Sequence, residues 1–248
     1  MFTSALLLTT LTTMALALPS PPTTPSYPPF KTAHAFRLVF NVTDPSKGFP
    51  APHSLHGSEV WPRDFFGPES TRGTVFPPKS GAVFFQTPRF NGGQPLTDDD
   101  RYRSSLQSQL GDFFLGFFDF SPFVDTAVAP VRFYKGSLGT EGIQLGLGGD
   151  VVHVSPFERE GGSVRFVVCN ETIAFPTGPA KWLTLGLVAE KGAVVPEECV
   201  EVKLVPECDR LGFISEHAER KAVFEAASEV RCYEDVQGIE WGKYSYSG

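Results

Sequence analysis

The stretch RFVVCNETIAF, residues 165–175, predicts both the fold class and the compartment of this chain. Cys169 closes a run of apolar residues that is typical of a β-strand, and Asn170-Glu171-Thr172 follows it as an acceptor for N-linked glycosylation. Disulfides persist outside the reducing cytosol, and N-glycans are added in the secretory pathway. The stretch therefore indicates a β-rich protein that functions outside the cell.

The N-terminus predicts export. Residues 1–17, MFTSALLLTTLTTMALA, are apolar without an acidic residue and end in a small-x-small pattern that signal peptidase accepts. The run is interrupted by Thr and Ser and barely reaches the ~20 residues of a spanning helix, so a membrane anchor is the weaker interpretation. Residues 18–33 are rich in Pro, Ser and Thr, which predicts an extended linker. The expected product is extracellular.

Composition excludes several classes of protein. The chain has 248 residues, 41% hydrophobic and 13% aromatic with 23 Phe, which is not a disordered composition. Its formal net charge is −7 and it has no Lys/Arg cluster, which argues against nucleic acid or an anionic membrane as partner.

Short strand-like segments separated by Gly, Pro, Asn and Asp fill residues 34–211 and predict an antiparallel β-sandwich or barrel. They lie at 36–42, 81–86, 113–120, 131–134, 142–148, 150–154, 163–170, 181–190 and 199–205. Residues 44–80 are interpreted as a long irregular loop. Two short peripheral helices are expected. The first runs from Thr97 to Gly111 with Tyr102, Leu106 and Leu110 at a spacing of four, and the second starts at Ser215 within a C-terminal segment, 212–248, that ends in aromatic residues.

The four cysteines, Cys169, Cys199, Cys208 and Cys232, predict two disulfides, since no residue spacing suits zinc. If the strands at 163–170, 181–190 and 199–206 form a meander, Cys199 lies at the opposite sheet edge from Cys169, some 20 Å or more away. On that geometry we expect Cys169–Cys208 and Cys199–Cys232. Glycosylation is expected at Asn41 and Asn170, each taken to end a strand.

Candidate catalytic and metal-binding motifs have simpler structural explanations. The acidic run 98–100 suits the first turn of a helix, His53 and His56 lie in a loop, and the Gly-rich run 136–149 lacks the Lys-Ser/Thr of a phosphate loop and favours hairpin turns. A glycosidase would need two facing carboxylates. Candidates on or near strands are Asp119, Asp125, Glu141, Asp150 and Glu158.

Three segments carry a resemblance to a known family. FRLVFNVTDPSK, GSVRFVVCNETIAF and VPEECVEVKLVPEC resemble, over residues 36–211, a family of small secreted proteins of filamentous fungi described only as a domain of unknown function. The resemblance implies secretion and a β-rich fold, and it brings no catalytic residues.

The sequence shows no nucleophile elbow, metal set or cofactor loop, so no catalytic residue, metal or cofactor is expected. We expect a protein that binds extracellular polysaccharide, the cell wall or a host surface molecule. Stacking of a sugar would involve Trp61 or the C-terminal aromatics Trp241, Tyr244 and Tyr246. A carboxylate-dependent glycan hydrolase and a structural wall or spore-coat protein are the alternatives.

Overall fold

The computed structural model describes residues 27–42, 49, 54–65, 71–87, 105–110, 114–117, 128–133, 143–145, 151–153, 165–188, 194–212, 225 and 227–244. Within these ranges the fold is antiparallel β with almost no helix, in agreement with the expected class. The strands are β1 (Lys31–Ala33), β2 (Ala35–Val42), β3 (Glu59–Arg63), β4 (Arg72–Phe76), β5 (Val83–Thr87), β6 (Ser105–Leu110), β7 (Phe114–Phe117), β8 (Ala129–Pro130), β9 (Ile143–Leu145), β10 (Val151–His153), β11 (Arg165–Phe175), β12 (Gly178–Val188), β13 (Cys199–Asp209) and β14 (Val230–Cys232).

All of these strands lie in one compact unit, residues Pro28–Ile239. Tyr27 and residues 240–244 fall in a separate unit, which contains a short 3-10 turn at Trp241–Lys243. Among the residues described, no helix is long and apolar enough to cross a membrane.

The stretch RFVVCNETIAF, residues 165–175, is strand β11, and it pairs on both sides. It forms a hairpin with β12 along its whole length, from Arg165 opposite Val188 to Phe175 opposite Gly178. Its first half also pairs with β13, with Cys169 directly opposite Cys199. The strand therefore does not end at Cys169, as the polar residues after it suggested, but continues through Asn170 to Phe175.

The two faces of β11 are both apolar in its first half. Phe166 and Val168 lie in the main core, while Val167 and Cys169 lie in a smaller cluster on the other face. Side chains alternate along a strand, so an unbroken apolar run indicates burial on both faces. Beyond Cys169 the strand has exposed residues, because only β12 still covers its edge.

The main core is built on β2, which pairs with β13 from Ala35 opposite Asp209 to Val42 opposite Val202. Phe36, Leu38 and Phe40 point to one face of β2 and are fully buried. Burial of each such side chain contributes about 1.5–3 kcal/mol.

The strands around this core pair in a closed cycle. The order β2–β3–β4–β12–β11–β13 leads back to β2, and β5, β6 and β7 continue the sheet from β2. Two links in the cycle are single pairs of residues, Val39 with Glu59 and Thr74 with Thr184. Strand contact is therefore weakest between β2 and β3 and between β4 and β12.

The four cysteines form two disulfides, but the pairing predicted from the sequence is wrong. The bonds are Cys169–Cys199 and Cys208–Cys232. The error lies in the assumed meander, because β13 follows β12 in the chain yet lies beside β11. This places Cys199 opposite Cys169 with their Cα atoms 4.0 Å apart, and leaves Cys208 to bond β14.

Neither predicted helix is found among the residues that the structure describes. Ser105–Leu110, the second half of the first one, is strand β6, paired with β5 and β7. Its apolar residues recur every four positions, and four is a multiple of two, so the same spacing fits one face of a strand. Val230–Cys232, at the end of the second predicted helix, is strand β14. Of the other described residues of that segment only Glu225 is helical. Residues 97–104, 213–224 and 226 lie outside the described ranges.

The segment interpreted as an irregular loop, 44–80, contains β3 and β4. These strands pair from Glu59 opposite Phe76 to Arg63 opposite Arg72. Pro62 and Gly73, which face each other in this ladder, are residues that usually interrupt strands. Gly73 is needed for close packing, since a Cβ there would lie 3.1 Å from the Cβ of Leu185. Lys31–Ala33, the end of the expected linker, forms β1 and pairs with β14.

A buried carboxylate fixes the turn between β4 and β5. Glu59 is 1% exposed and accepts hydrogen bonds from the backbone N–H groups of Lys79, at 2.6 Å, and Gly81, at 2.5 Å. Lys79 has a φ of 60°, a conformation that side-chain-bearing residues rarely adopt. Arg37 lies 3.8 Å from Glu59 and donates to Asp209 at 2.6 Å, which balances the buried charge.

A second carboxylate holds the segment after β14. Glu207 lies opposite Arg37 in the ladder and accepts a hydrogen bond of 2.9 Å from the backbone N–H of Val236. Burial raises the pKa of Glu207, and the neighbouring Glu59 and Asp235 add to the rise, against the lowering effects of the Val236 N–H and Arg37. The carboxylate is thus kept in place by a hydrogen bond although its environment disfavours the charge.

The disulfide pairing predicts an asymmetry between two double variants. Cys169→Ala/Cys199→Ala removes one bond, so we expect the free energy of unfolding to fall by about 2–4 kcal/mol. Cys169→Ala/Cys208→Ala breaks both bonds and should cost roughly twice as much. Urea unfolding of the purified proteins measures both values. The opposite order would mean that Cys169 is bonded to Cys208.

Glu207 predicts a pH dependence of stability. A carboxyl group whose pKa is raised on folding holds its proton more tightly in the folded state than in the unfolded chain. Its contribution to the free energy of unfolding is therefore present at low pH and lost as the pH rises through the raised pKa. We expect the stability of wild type relative to Glu207→Gln, which keeps an oxygen for the Val236 N–H, to fall as the pH goes from about 4 to 7.

Chemical denaturation at several pH values measures this difference. Glu234→Gln, at a side chain 74% exposed, controls for the loss of one negative charge. A relative stability of the wild type that rises with pH would contradict the assignment.

Candidate functional site

A cavity of about 570 Å³ lies beside the weak link between β4 and β12. Its volume is within the range of small-ligand sites, about 300–1,000 Å³. One part of its lining is apolar and consists of Phe49, Val75, Phe76, Pro77, Pro78, Trp182 and Leu183. The other part is polar and consists of Ser54, His56, Ser58, Asn170 and Lys181.

The cavity forms where two strands separate. β4 and β12 pair only at Thr74 and Thr184, and the cavity residues on both strands lie to one side of that pair. On β4 these are Val75 and Phe76, and on β12 they are Lys181, Trp182 and Leu183. Since no ladder joins the strands there, their side chains are left to line a space.

The hairpin of β11 and β12 places polar groups at the end of the main core. Leu185 on β12 and Val168 on β11 lie in the core, so alternation puts Leu183 and Asn170 on the same face as them. Asn170 and Leu183 are directly opposite each other in the ladder. Leu183 packs against the core, whereas Asn170 is exposed, so the core ends in a polar rim at this point.

The turn before β3 supplies the opposite side of the cavity. Leu55, 2% exposed, anchors the turn, and the Ser58 hydroxyl donates a hydrogen bond of 2.6 Å to the carbonyl of Ser54. Gly57 has a φ of 81°, and a Cβ there would lie 2.6 Å from Nε2 of Gln237, whose side chain donates to the Gly57 carbonyl. The turn is held from both sides, and His56 is exposed at its tip.

Trp182 borders the cavity, but its ring lies on the other face of β12 from Leu183. It is opposite Glu171 in the ladder, whereas Leu183 is opposite Asn170, and side chains alternate between the two faces of a strand. On its own face the guanidinium of Arg63 lies 4.1 Å from its ring centroid, a cation–π contact, and the ring of Phe65 meets it edge-on at 5.5 Å. The indole N–H is buried and has no hydrogen-bond acceptor in the described part of the protein.

The stacking residues expected from the sequence are not the ones at the cavity. Trp61 packs against the main core and the ring of Phe76, 5.4 Å away, and is not among the lining residues. Trp241 and Tyr244 fall in the separate unit, and Tyr246 lies outside the described ranges. Trp182 was missed because KWLTLGLV is an ordinary strand pattern, and no local signal marks the point at which β12 leaves β4.

Other predicted groups have mixed outcomes. His56 reaches the cavity, whereas His53, the acidic run 98–100 and the five carboxylates proposed for a glycosidase lie outside the described residues. β9 and β10 pair antiparallel, which agrees with a hairpin in the second half of the Gly-rich run. Asn41 lies near the end of β2, half-buried and opposite Lys203.

The carboxylates near the cavity are engaged in structural contacts. None of the described residues that line it is Asp or Glu. Glu171, opposite Trp182 on β11, forms an ion pair of 2.6 Å with Arg72. Within the described ranges no three His, Cys, Asp or Glu side chains are grouped to hold a metal ion. The site as described offers aromatic faces and hydrogen-bonding groups for binding.

Comparisons with known proteins identify the family of this chain. No solved structure matches it at a significant level. Antigenic protein SchS34 of Stachybotrys chartarum is 28% identical to it over 240 residues, which cover 89% of this chain and 95% of that protein. A family model matches residues 33–208, close to the range 36–211 over which the sequence resembles secreted fungal proteins. The chain therefore belongs to the family described as Domain of unknown function (DUF7907).

Proposed function

We propose that this protein is secreted and binds an extracellular glycan in the cavity beside β4 and β12. The observation that carries the proposal is the composition of the lining, in which the apolar residues Phe49, Val75 and Leu183 adjoin hydrogen-bonding residues. A sugar ring has an apolar C–H face and a periphery of hydroxyl groups. Sites that pair an aromatic surface with a few placed polar groups suit that chemistry.

Each part of the lining has a role in this proposal. A pyranose ring stacks its C–H face on the ring of Phe49 and packs against Val75 and Leu183. Its hydroxyls bond the amide of Asn170, the ammonium of Lys181 and the imidazole of His56, which are all exposed.

Two further features support an extracellular setting. The chain carries two disulfides, which persist in oxidising compartments, and begins with an apolar run that ends in a cleavage pattern. A related protein of similar length is named antigenic. We propose that the present chain is located outside the cell. We also propose that the cycle of six paired strands forms a small barrel with the cavity at its mouth, a common place for ligand sites.

A catalytic role in the same cavity has less support. Glycoside hydrolysis in most families needs an acid and a second carboxylate on either side of the bond to be cleaved. The described lining contains neither, and Glu59, Glu207 and Asp209 are bonded to backbone N–H groups or to Arg37. Binding without cleavage is therefore the function we propose.

The proposal is tested with two lysine variants of equal charge. Lys181→Ala removes a donor from the cavity, whereas Lys31→Ala removes an exposed lysine paired only with Glu234 on the surface. Both change the net charge by the same amount, so a non-specific electrostatic effect would be shared. We expect Lys181→Ala to weaken glycan binding about tenfold or more and Lys31→Ala to leave it unchanged.

A glycan array with the mature protein freed of N-linked glycans identifies the ligand, and calorimetry measures the affinities. Absence of binding on arrays of wall and host glycans, or an equal effect of the two lysine variants, would contradict the proposal.

A further inference from the structure

Asn170 has two properties that come together only in the folded protein. It is the acceptor residue of Asn170-Glu171-Thr172, and its side chain lines the cavity. We propose that an N-linked glycan on Asn170 occupies this cavity, with its innermost N-acetylglucosamine beside Leu183 and Lys181, and so closes it to free ligands. The effect on free ligands rests on the proposed function, but the position of the attached glycan does not.

The acceptor is accessible and its direction is fixed. Asn170 and Thr172 are both exposed on β11, and the Asn170 side chain makes no hydrogen bond in the described structure. The backbone N–H of Asn170 donates to the carbonyl of Glu198 at 3.0 Å, and the preceding Cys169 is bonded to Cys199. Position 170 is thus held on two sides, and a sugar attached to Nδ2 starts from a rigid point.

The neighbours of that point are cavity residues. Leu183 lies directly opposite Asn170, and Lys181 lies opposite Thr172 on the same face of the hairpin. Both line the cavity. The first sugar is therefore attached at the rim itself, next to the side chains of Leu183 and Lys181.

The other acceptor provides a contrast within the same chain. Asn41 lies on β2 opposite Lys203 and is not a lining residue of the cavity. Asn41 therefore serves as the matched control for a glycan at Asn170.

A tethered sugar competes effectively even if each contact is weak. A group on a short linker has an effective concentration of about millimolar at a neighbouring site. Free glycans that bind in the same range are excluded, while a chain that lacks the modification leaves the site open. Occupancy of the acceptor would then set the fraction of molecules that are competent to bind.

The test compares three variants of the full chain secreted from a eukaryotic host. Thr172→Val keeps Asn170 and a β-branched strand residue but destroys the acceptor, Thr172→Ser keeps the acceptor, and Asn41→Gln removes the other one. Glycopeptide mapping establishes occupancy at Asn170. Hydroxyl-radical footprinting then measures the oxidation of Phe49 and His56, which line the cavity.

We expect Phe49 and His56 to be protected in wild type, Thr172→Ser and Asn41→Gln, and to lose that protection in Thr172→Val. Free glycan should bind Thr172→Val at least about tenfold more tightly than wild type. An unmodified Asn170, or equal oxidation of Phe49 and His56 with and without its glycan, would overturn the inference. Protection of these two residues in wild type without ligand binding by Thr172→Val would leave the inference standing and contradict the proposed function instead.

Discussion

The rest of the structure depends on the return of β13 to the side of β11. The chain leaves β12, and instead of adding a third strand beyond it, comes back to pair with the first strand of the hairpin. The Cys169–Cys199 bond joins the two strands at the position where their residues are directly opposite. With β13 in this place, its other edge is free to pair with β2, which carries the fully buried Phe36 and Phe40.

This arrangement also creates the space for the cavity. β12 is covered by β11 along one edge, and its other edge meets β4 at one residue pair only. A continuous ladder at that edge would have closed the gap between Val75 and Leu183 with backbone hydrogen bonds. The cavity is thus a consequence of strand order, and its aromatic and polar residues occupy positions that an ordinary sheet would have packed against a neighbour.

Much of the strand content was predictable because burial imposes a period of two. Phe36, Leu38 and Phe40 alternate in the sequence and point into one core, as the pattern indicated. Leu106 and Leu110 misled because their spacing suits a helix as well as a strand, and pairing with β5 decides between them. Pro62 and Gly73 hid a hairpin because residues that usually break strands are here used for an edge and for close packing.

The order of strands and the site could not be predicted in the same way. Pairing between β11 and β13 is a long-range property, and a disulfide proposed from an assumed order inherits the error of that order. Trp182 is one residue in a regular strand pattern. Its position beside the cavity follows from the path of β4, which the sequence interpretation treated as loop. Asn170, in contrast, was identified from its acceptor pattern, but the pattern says nothing of what lies beside it.

The Cys208–Cys232 bond has a consequence for where this domain ends. The matched family region stops at residue 208, yet the partner of Cys208 lies 24 residues further along the chain. The same downstream segment supplies the Val236 N–H to Glu207 and the Gln237 side chain to the turn at Gly57. A fragment cut at the boundary of sequence similarity would carry an unpaired thiol and an unsupported turn. The unit that folds is therefore longer than the unit that is recognised by similarity, and it extends to about residue 239.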